Sequence, residues 1–135
     1  MNPVLRPQLQ LRHLWLGLGL LIAAGIAVGS LVPSSELPNL RVSDKWEHAV
    51  SYLLLAFWFA SIFTRSSHAG LAVALLAFGG ALELLQGAMR TGREADLHDL
   101  LADGAGILCG IALALTPLGL WATRLEAMFF ARRAA

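Results

Sequence analysis

Charged residues in this chain are concentrated in a few places, and long apolar stretches separate them. Hydrophobic residues make up 57% of the 135 positions and charged residues only 14%. Most of the acidic residues fall in two stretches, 44–48 and 83–103. An ionised group in hydrocarbon costs about 2.5–3.5 kcal/mol on insertion scales, so such groups are rare there and are usually paired or functional. The pattern therefore predicts a membrane protein whose polar residues gather in one region.

The overall composition excludes several classes of protein. A chain this apolar would expose large hydrophobic patches if it folded as an ordinary soluble domain. The net charge is only +1, and no basic stripe of the kind that holds a phosphate backbone is present, so no nucleic-acid partner is predicted. No cofactor is predicted either.

Four apolar segments are long enough to span a membrane, which takes about twenty helical residues. They run over residues 13–32, 45–63, 69–89 and 99–121. The sequence thus predicts a single all-α domain over residues 1–135, an integral membrane four-helix bundle with short loops and a C-terminal interfacial helix. The first segment is longer than the apolar region of a typical signal peptide, so we expect it to be retained.

Lysine and arginine positions predict the orientation through the positive-inside rule. With the N-terminus inside, the cytoplasmic cations are Arg6, Arg12, Arg65, Arg124, Arg132 and Arg133. The outer cations are then Arg41, Lys45, Arg90 and Arg93. The balance favours an N-in, C-in topology with the main polar groups facing outside.

In such a bundle, the start of span two, the end of span three and the start of span four lie at the same leaflet. Helical spacing places their polar residues on shared stripes. The three stripes are Asp44, His48 and Tyr52; Glu83, Gln86 and Arg90; and Asp96, Asp99 and Asp103, continued by Gly106 and Gly110. We therefore expect one polar site, with Asp96 or Asp99 capping span four.

Small residues beside these stripes predict close helix packing. Gly106 and Gly110 have the four-residue spacing that lets a neighbouring helix approach, and Gly79 and Gly80 lie one turn from Glu83. The sequence interpretation is that spans three and four pack tightly against each other.

The chemistry of the site residues suggests two sets of roles. Acid–base chemistry is assigned to His48, Glu83 and Asp99, with Asp44 or Asp99 as the carboxylate partner of His48. Ligand binding is assigned to Asp44, Lys45, Tyr52, Gln86, Arg90, Arg93 and Asp103. A metal site from Asp44, His48, Asp99 and Asp103 is not predicted, because no recognised ligand spacing supports it. Capping, structural ion pairs and helix packing are the simpler explanations for the same residues.

The chain resembles the VanZ-like family, small bacterial membrane proteins named for the teicoplanin-resistance protein VanZ of glycopeptide-resistance clusters. The resemblance covers about half the chain and lies in Asp44-Lys45-x-x-His48-x-x-x-Tyr52, Glu83-x-x-Gln86, Arg90, Arg93 and Asp99-x-x-Ala102-Asp103-x-x-Gly106-x-x-x-Gly110. It differs at Asp103, where the family usually has asparagine. It implies the bacterial inner (cytoplasmic) membrane and a role in the cell envelope, and it does not extend antibiotic resistance to this chain.

The leading functional hypothesis is binding of a lipid or lipid-linked glycan headgroup in an outward-facing polar pocket. Membrane lipids, and lipid-linked glycans or proteins of envelope or exopolysaccharide biosynthesis, are the expected partners. Three alternatives stay open: a membrane enzyme that uses His48 with a carboxylate, a proton- or ion-coupled carrier, and a structural or assembly protein.

Overall fold

The computed structural model of the protein describes residues 4–32, 43–89 and 95–131. Within these ranges the chain forms five α-helices and no strand beyond an isolated bridge between Leu5 and Phe63. The helices are α1 (Arg12–Leu31), α2 (Asp44–Ile62), α3 (His68–Met89), α4 (Leu97–Ala114) and α5 (Trp121–Ala131). Short 3-10 turns precede α3 and α5, at Arg65–Ser67 and Pro117–Leu120. The all-helical class predicted from the sequence is confirmed.

Three of these helices, α1, α3 and α4, are long and apolar enough to cross a membrane. Their outer faces carry large exposed apolar side chains, including Leu20, Leu21, Val28, Val73, Leu84, Leu101 and Leu108. The 19-residue α2 is not among them, because its first turn holds Asp44, Lys45 and Glu47. The structure thus supports a multi-pass membrane protein with three candidate spans, and a fourth span along α2 stays a prediction.

The fourth helix ends earlier than the sequence suggested. The predicted span continued to residue 121, whereas α4 stops at Ala114 and a 3-10 turn begins at Pro117. Proline restricts the preceding residue to extended backbone, and Thr116 has ψ 173°. The Thr116 hydroxyl then accepts a hydrogen bond from the Leu118 N–H and starts the new turn. The chain therefore enters a separate helix, α5, at Trp121.

Helix α2 lies at the centre of the described structure and contacts α1, α3, α4 and α5. Its longest contact is with α4, which runs parallel to it. Gly106 and Gly110 of α4 lie directly against the α2 backbone, at Ala49 and Leu53. The sequence analysis expected these glycines to bring spans three and four together. This expectation is corrected, because the helix that packs against both glycines is α2.

The end of the molecule opposite the starts of α2 and α4 is held by a buried carboxylate on α5. Glu126 is 4% exposed. It accepts hydrogen bonds from the Gln10 and Leu11 N–H groups, at 2.7 and 2.9 Å, and from the Trp15 indole at 2.7 Å. The first backbone N–H groups of a helix lack partners within it. Glu126 satisfies two N–H groups at the entry to α1, and the predicted interfacial helix is thereby fastened to the rest of the protein.

Candidate functional site

The first turns of α2 and α4 and the last turns of α3 meet at one end of the protein. We use the term polar cluster for seven of the ionisable side chains at this end: Asp44, Lys45, His48, Glu83, Asp96, Asp99 and Asp103. Six of them were predicted as site residues from the sequence, and Asp96 was predicted as a helix cap. The meeting follows from chain direction, since α2 and α4 start where α3 ends.

The centre of the polar cluster is a hydrogen bond between His48 and Asp103. The distance from His48 Nδ1 to Asp103 Oδ1 is 2.9 Å, and Asp103 is fully buried. With Asp103 as the acceptor, Nδ1 is the donor, and Nε2 lies on the other side of the ring, 3.9 Å from Glu83 Oε1. The expected carboxylate partner, Asp44 or Asp99, is corrected to Asp103. The close approach at Gly106, one turn beyond Asp103, brings this aspartate onto the face of α2 that carries His48.

A glycine of α3 makes room for this buried carboxylate. A side chain at Gly79 would collide with Asp103 Oδ2 and press against the Tyr52 hydroxyl. Both oxygen atoms are buried, and neither has a hydrogen-bond partner among the described residues. Buried polar atoms usually have a partner, in the protein or in ordered water. This part of the site therefore has capacity for further hydrogen bonds.

Glu83 links the end of α3 to the start of α4. Its Oε2 accepts a hydrogen bond from the Asp96 N–H at 3.0 Å. Its Oε1 accepts none from the described residues and lies 3.9 Å from His48 Nε2. Because Glu83 is 5% exposed, this oxygen faces the histidine inside the protein rather than solvent.

Lys45 and the start of α4 form the exposed edge of the polar cluster. Lys45 Nζ lies 3.1 Å from Asp96 Oδ2 and 3.4 Å from Asp99 Oδ1. Asp96 is the N-cap of α4, as one of the two sequence alternatives proposed. Hydrogen bonds from the His98 N–H, then the His98 ring and Lys45, hold the pKa of the Asp96 carboxyl well below its usual range. Asp96 therefore stays ionised at neutral pH and keeps Lys45 at the cluster.

Of the remaining residues assigned to ligand binding, only Gln86 lies within the described ranges. The buried Gln86 donates from Nε2 to the Ser30 carbonyl at 2.8 Å, so it ties α3 to the end of α1. Arg90 and Arg93 lie outside the described residues.

A cavity of about 430 Å³ lies between α1 and α2, beside the polar cluster. Its polar wall consists of Ser30, Asp44, Glu47, His48, Ser51 and Tyr52. Its apolar wall comes from α1 and consists of Ile22, Gly25, Ile26 and Gly29. Sequence reasoning did not include Glu47, Ser51 or any α1 residue in the site. Glu47 and Ser51 could have been predicted, because their four-residue spacing places them on one face of α2 next to the stripe of His48. The α1 residues could not, because α1 has no polar pattern in its sequence.

Carboxylates dominate the site within the part of the chain that the structure describes. The acidic residues are Asp44, Glu47, Glu83, Asp96, Asp99 and Asp103. The basic side chains facing them are Lys45, His48 and the exposed His98, whose ring bonds to Asp96. The described site is thus suited to hydroxyl, ammonium and cationic groups more than to a bare anion.

The chain matches none of the protein-family models, curated proteins or solved structures with which it was compared. The resemblance to the VanZ-like family therefore depends on the motif residues alone. Any functional conclusion has to come from the geometry of the polar cluster and its cavity.

Proposed function

We propose that the protein is a VanZ-like protein of the bacterial inner membrane in which α2 completes a four-span bundle. The support is the motif resemblance, the apolar outer faces of α1, α3 and α4, and the central position of α2 among them. The proposed orientation has both termini in the cytoplasm and the polar cluster at the outer face, and its support is the distribution of lysine and arginine residues.

Within this membrane protein, the cavity between α1 and α2 binds the polar headgroup of a lipid or lipid-linked glycan. The observation that carries the proposal is the contrast between the two walls. Carboxylate, imidazole and hydroxyl groups of α2 match sugar hydroxyl or amine groups, and Ile22 and Ile26 of α1 provide an apolar surface for the attached chain. Such sites typically combine an apolar lining with a few polar groups that fix orientation.

For ligands that carry phosphate, the proposal also assigns a binding role to cationic residues near the polar cluster. Lys45 is half-exposed at the edge of the polar cluster, where its ammonium group can reach an anionic linkage. Arg90 and Arg93 follow α3 in sequence and are proposed for the same role, because arginine binds phosphate through paired hydrogen bonds. The envelope or exopolysaccharide pathway, and protein partners within it, belong to this proposal through the resemblance.

Filling the cavity should abolish headgroup binding without loosening the fold. Gly25 and Gly29 line the cavity, and a side-chain carbon at either position would meet no atom within 4 Å. We expect Gly25→Leu and Gly29→Leu to lower lipid retention about tenfold or more. The measurement is native mass spectrometry of the detergent-purified chain with phosphatidylglycerol, phosphatidylethanolamine and a polyprenyl-phosphate-linked sugar.

Gly17→Leu is the matched control for this experiment. Gly17 lies on the same helix, is equally unobstructed and does not line the cavity. It should retain lipid as the unmodified protein does, and all three variants should keep their melting temperature. Equal retention by the cavity variants and the control would refute the headgroup proposal.

A second candidate, an acid–base enzyme, is favoured by one specific observation. The 2.9 Å bond from His48 to a buried aspartate is the arrangement that orients a histidine as a general base. His48 Nε2 would then take a proton from the substrate, and Glu83 would be the nearby acid. Chemical change of the same lipids, followed by mass spectrometry, should require His48. Turnover that persists in a His48→Gln variant would eliminate this candidate.

A further inference from the structure

We propose that Asp44, His48 and Asp99 form a binding site for a divalent transition-metal ion such as Zn²⁺. One ligand atom from each residue can be chosen so that all three lie within 4.8 Å of one another. The residues come from two helices, since Asp44 and His48 are one turn apart on α2 and Asp99 is in the first turn of α4. The sequence interpretation predicted no metal site because no recognised ligand spacing supports one, whereas the structure brings Asp99 next to Asp44 and His48.

The bond between His48 and Asp103 prepares the imidazole to bind a metal. In the neutral tautomer that donates its Nδ1 proton to Asp103, the lone pair is on Nε2 and is available to a metal ion. Histidines that bind metals nearly always donate their other N–H to a carboxylate or carbonyl, and this fixes the tautomer and raises the basicity of the ligating nitrogen. Here the buried Asp103 is that carboxylate, and it lies on the Nδ1 side of the ring, away from Nε2.

A second, independent observation at this site concerns Glu83. Its Oε1 is buried, accepts no hydrogen bond from the described residues and lies 3.9 Å from His48 Nε2. A buried carboxylate oxygen without a partner is costly, and coordination of a metal ion is one of the ways in which proteins compensate it. An ion bound at His48 Nε2 would place positive charge near this oxygen and offset the cost of burying it.

The distances require only small side-chain movements. Ligands at about 2.1 Å from a tetrahedral ion are about 3.4 Å apart. Ligand atoms within 4.8 Å of one another reach that separation by a shift of about 1 Å, which a change in side-chain torsion supplies.

Lys45 is the cation that faces this site in the described structure. Its ammonium lies 3.4 Å from Asp99 Oδ1 and its side chain is 51% exposed. When a metal ion binds Asp99, the lysine can keep its shorter contact with Asp96, at 3.1 Å. Imidazole and carboxylate ligands suit zinc, whereas magnesium and calcium prefer oxygen ligands alone. The ligand set thus selects a transition metal.

This inference goes beyond headgroup binding and excludes one alternative. A metal on Nε2 occupies the atom that an acid–base enzyme would use as its general base, so the two roles of His48 cannot coexist. A bound divalent ion would also give the acidic cluster a positive centre that polarises a phosphoryl oxygen. Metal binding itself is measured in the absence of any lipid, so its failure is distinguishable from failure of the headgroup proposal.

The experiment titrates Zn²⁺ into the metal-stripped full-length protein in detergent, with a chromophoric chelator as competitor. We expect one Zn²⁺ per chain with micromolar or tighter affinity. His48→Asn should weaken binding about 100-fold, and Asp44→Asn and Asp99→Asn about tenfold or more. Co²⁺ should show the visible absorption of a four-coordinate site, and this absorption should disappear in His48→Asn.

Two control variants make the result decisive. The first, His98→Asn, removes an exposed histidine that lies near the site and bonds to Asp96. The second, Glu47→Gln, removes an exposed carboxylate from the first turn of α2. Both variants should bind Zn²⁺ as the unmodified protein does. Asp44 is exposed, so Asp44→Asn tests the site even if His48→Asn does not fold. Absence of stoichiometric binding, or equal binding by Asp44→Asn and the controls, would overturn the proposal.

Discussion

Gly106→Ala is expected to destabilise the protein by about 2–3 kcal/mol, although alanine is the better helix former. The added methyl group would meet backbone atoms of Ala49 and Leu53 on α2. Backbone cannot move aside as a flexible side chain can, so α2 and α4 must separate along their longest contact. Overpacking of a close contact costs about 1–3 kcal/mol, and the lost α2–α4 packing adds to it. Gly110→Ala should behave in the same way, because its methyl group would meet Leu53 and Phe57.

The control for this prediction lies on the same helix. A methyl group at Gly104 would make only an ordinary contact, 3.8 Å from Leu76 Cδ1. Gly104→Ala should therefore keep the melting temperature or raise it slightly, since alanine is favoured in helices by about 1 kcal/mol. Thermal unfolding in detergent, followed by circular dichroism, measures both variants. If Gly106→Ala melted together with Gly104→Ala, the close contact of α2 with α4 would be wrong.

Asp103→Ala is the second substitution with a large expected effect. It removes the carboxylate that orients His48 and leaves the imidazole N–H without its acceptor in a buried environment. Leaving a buried donor without its acceptor costs about 1–3 kcal/mol. We expect a loss of about 3 kcal/mol in the free energy of unfolding, together with loss of the ligand and metal binding that depend on His48.

Asp103→Asn separates the contribution of charge from that of the hydrogen bond. The asparagine carbonyl oxygen can still accept the Nδ1 proton, so the hydrogen bond is kept while the formal charge is removed. The loss should be about 1 kcal/mol, similar to one hydrogen bond weakened by loss of its charge. A double-mutant cycle with His48→Gln should give a coupling free energy of about 1–3 kcal/mol.

Asp44→Ala tests whether the destabilisation expected for Asp103→Ala depends on burial of the carboxylate. Asp44 carries the same charge in the same polar cluster, but it is exposed at the start of α2. Its loss should change the free energy of unfolding by no more than about 0.5 kcal/mol. Equal destabilisation by Asp44→Ala and Asp103→Ala would contradict the buried pair that the structure shows.

Local pattern in the sequence accounts for the helical class and for much of the placement of the helices. Apolar runs of suitable length predicted α1, α2 and α3 to within two residues, because a helix is specified by nearby residues. The Asp96 cap was also readable, since an aspartate before an apolar run is a helix-start signal. The predicted end of α4 was seven residues too late. The apolar sequence continues past Pro117, so hydropathy alone does not show that the helix stops at Ala114.

The sequence by itself determined that the described chain is helical and that many of its charged residues lie near helix ends. It predicted four membrane spans, of which the structure supports three. Only the tertiary structure decided that Asp103 is the partner of His48, that Gly106 admits α2, and that α1 supplies the apolar wall of the cavity. The physical reason is that periodicity places a residue on a face of its own helix, whereas the choice of facing helix depends on how closely the backbones can pack.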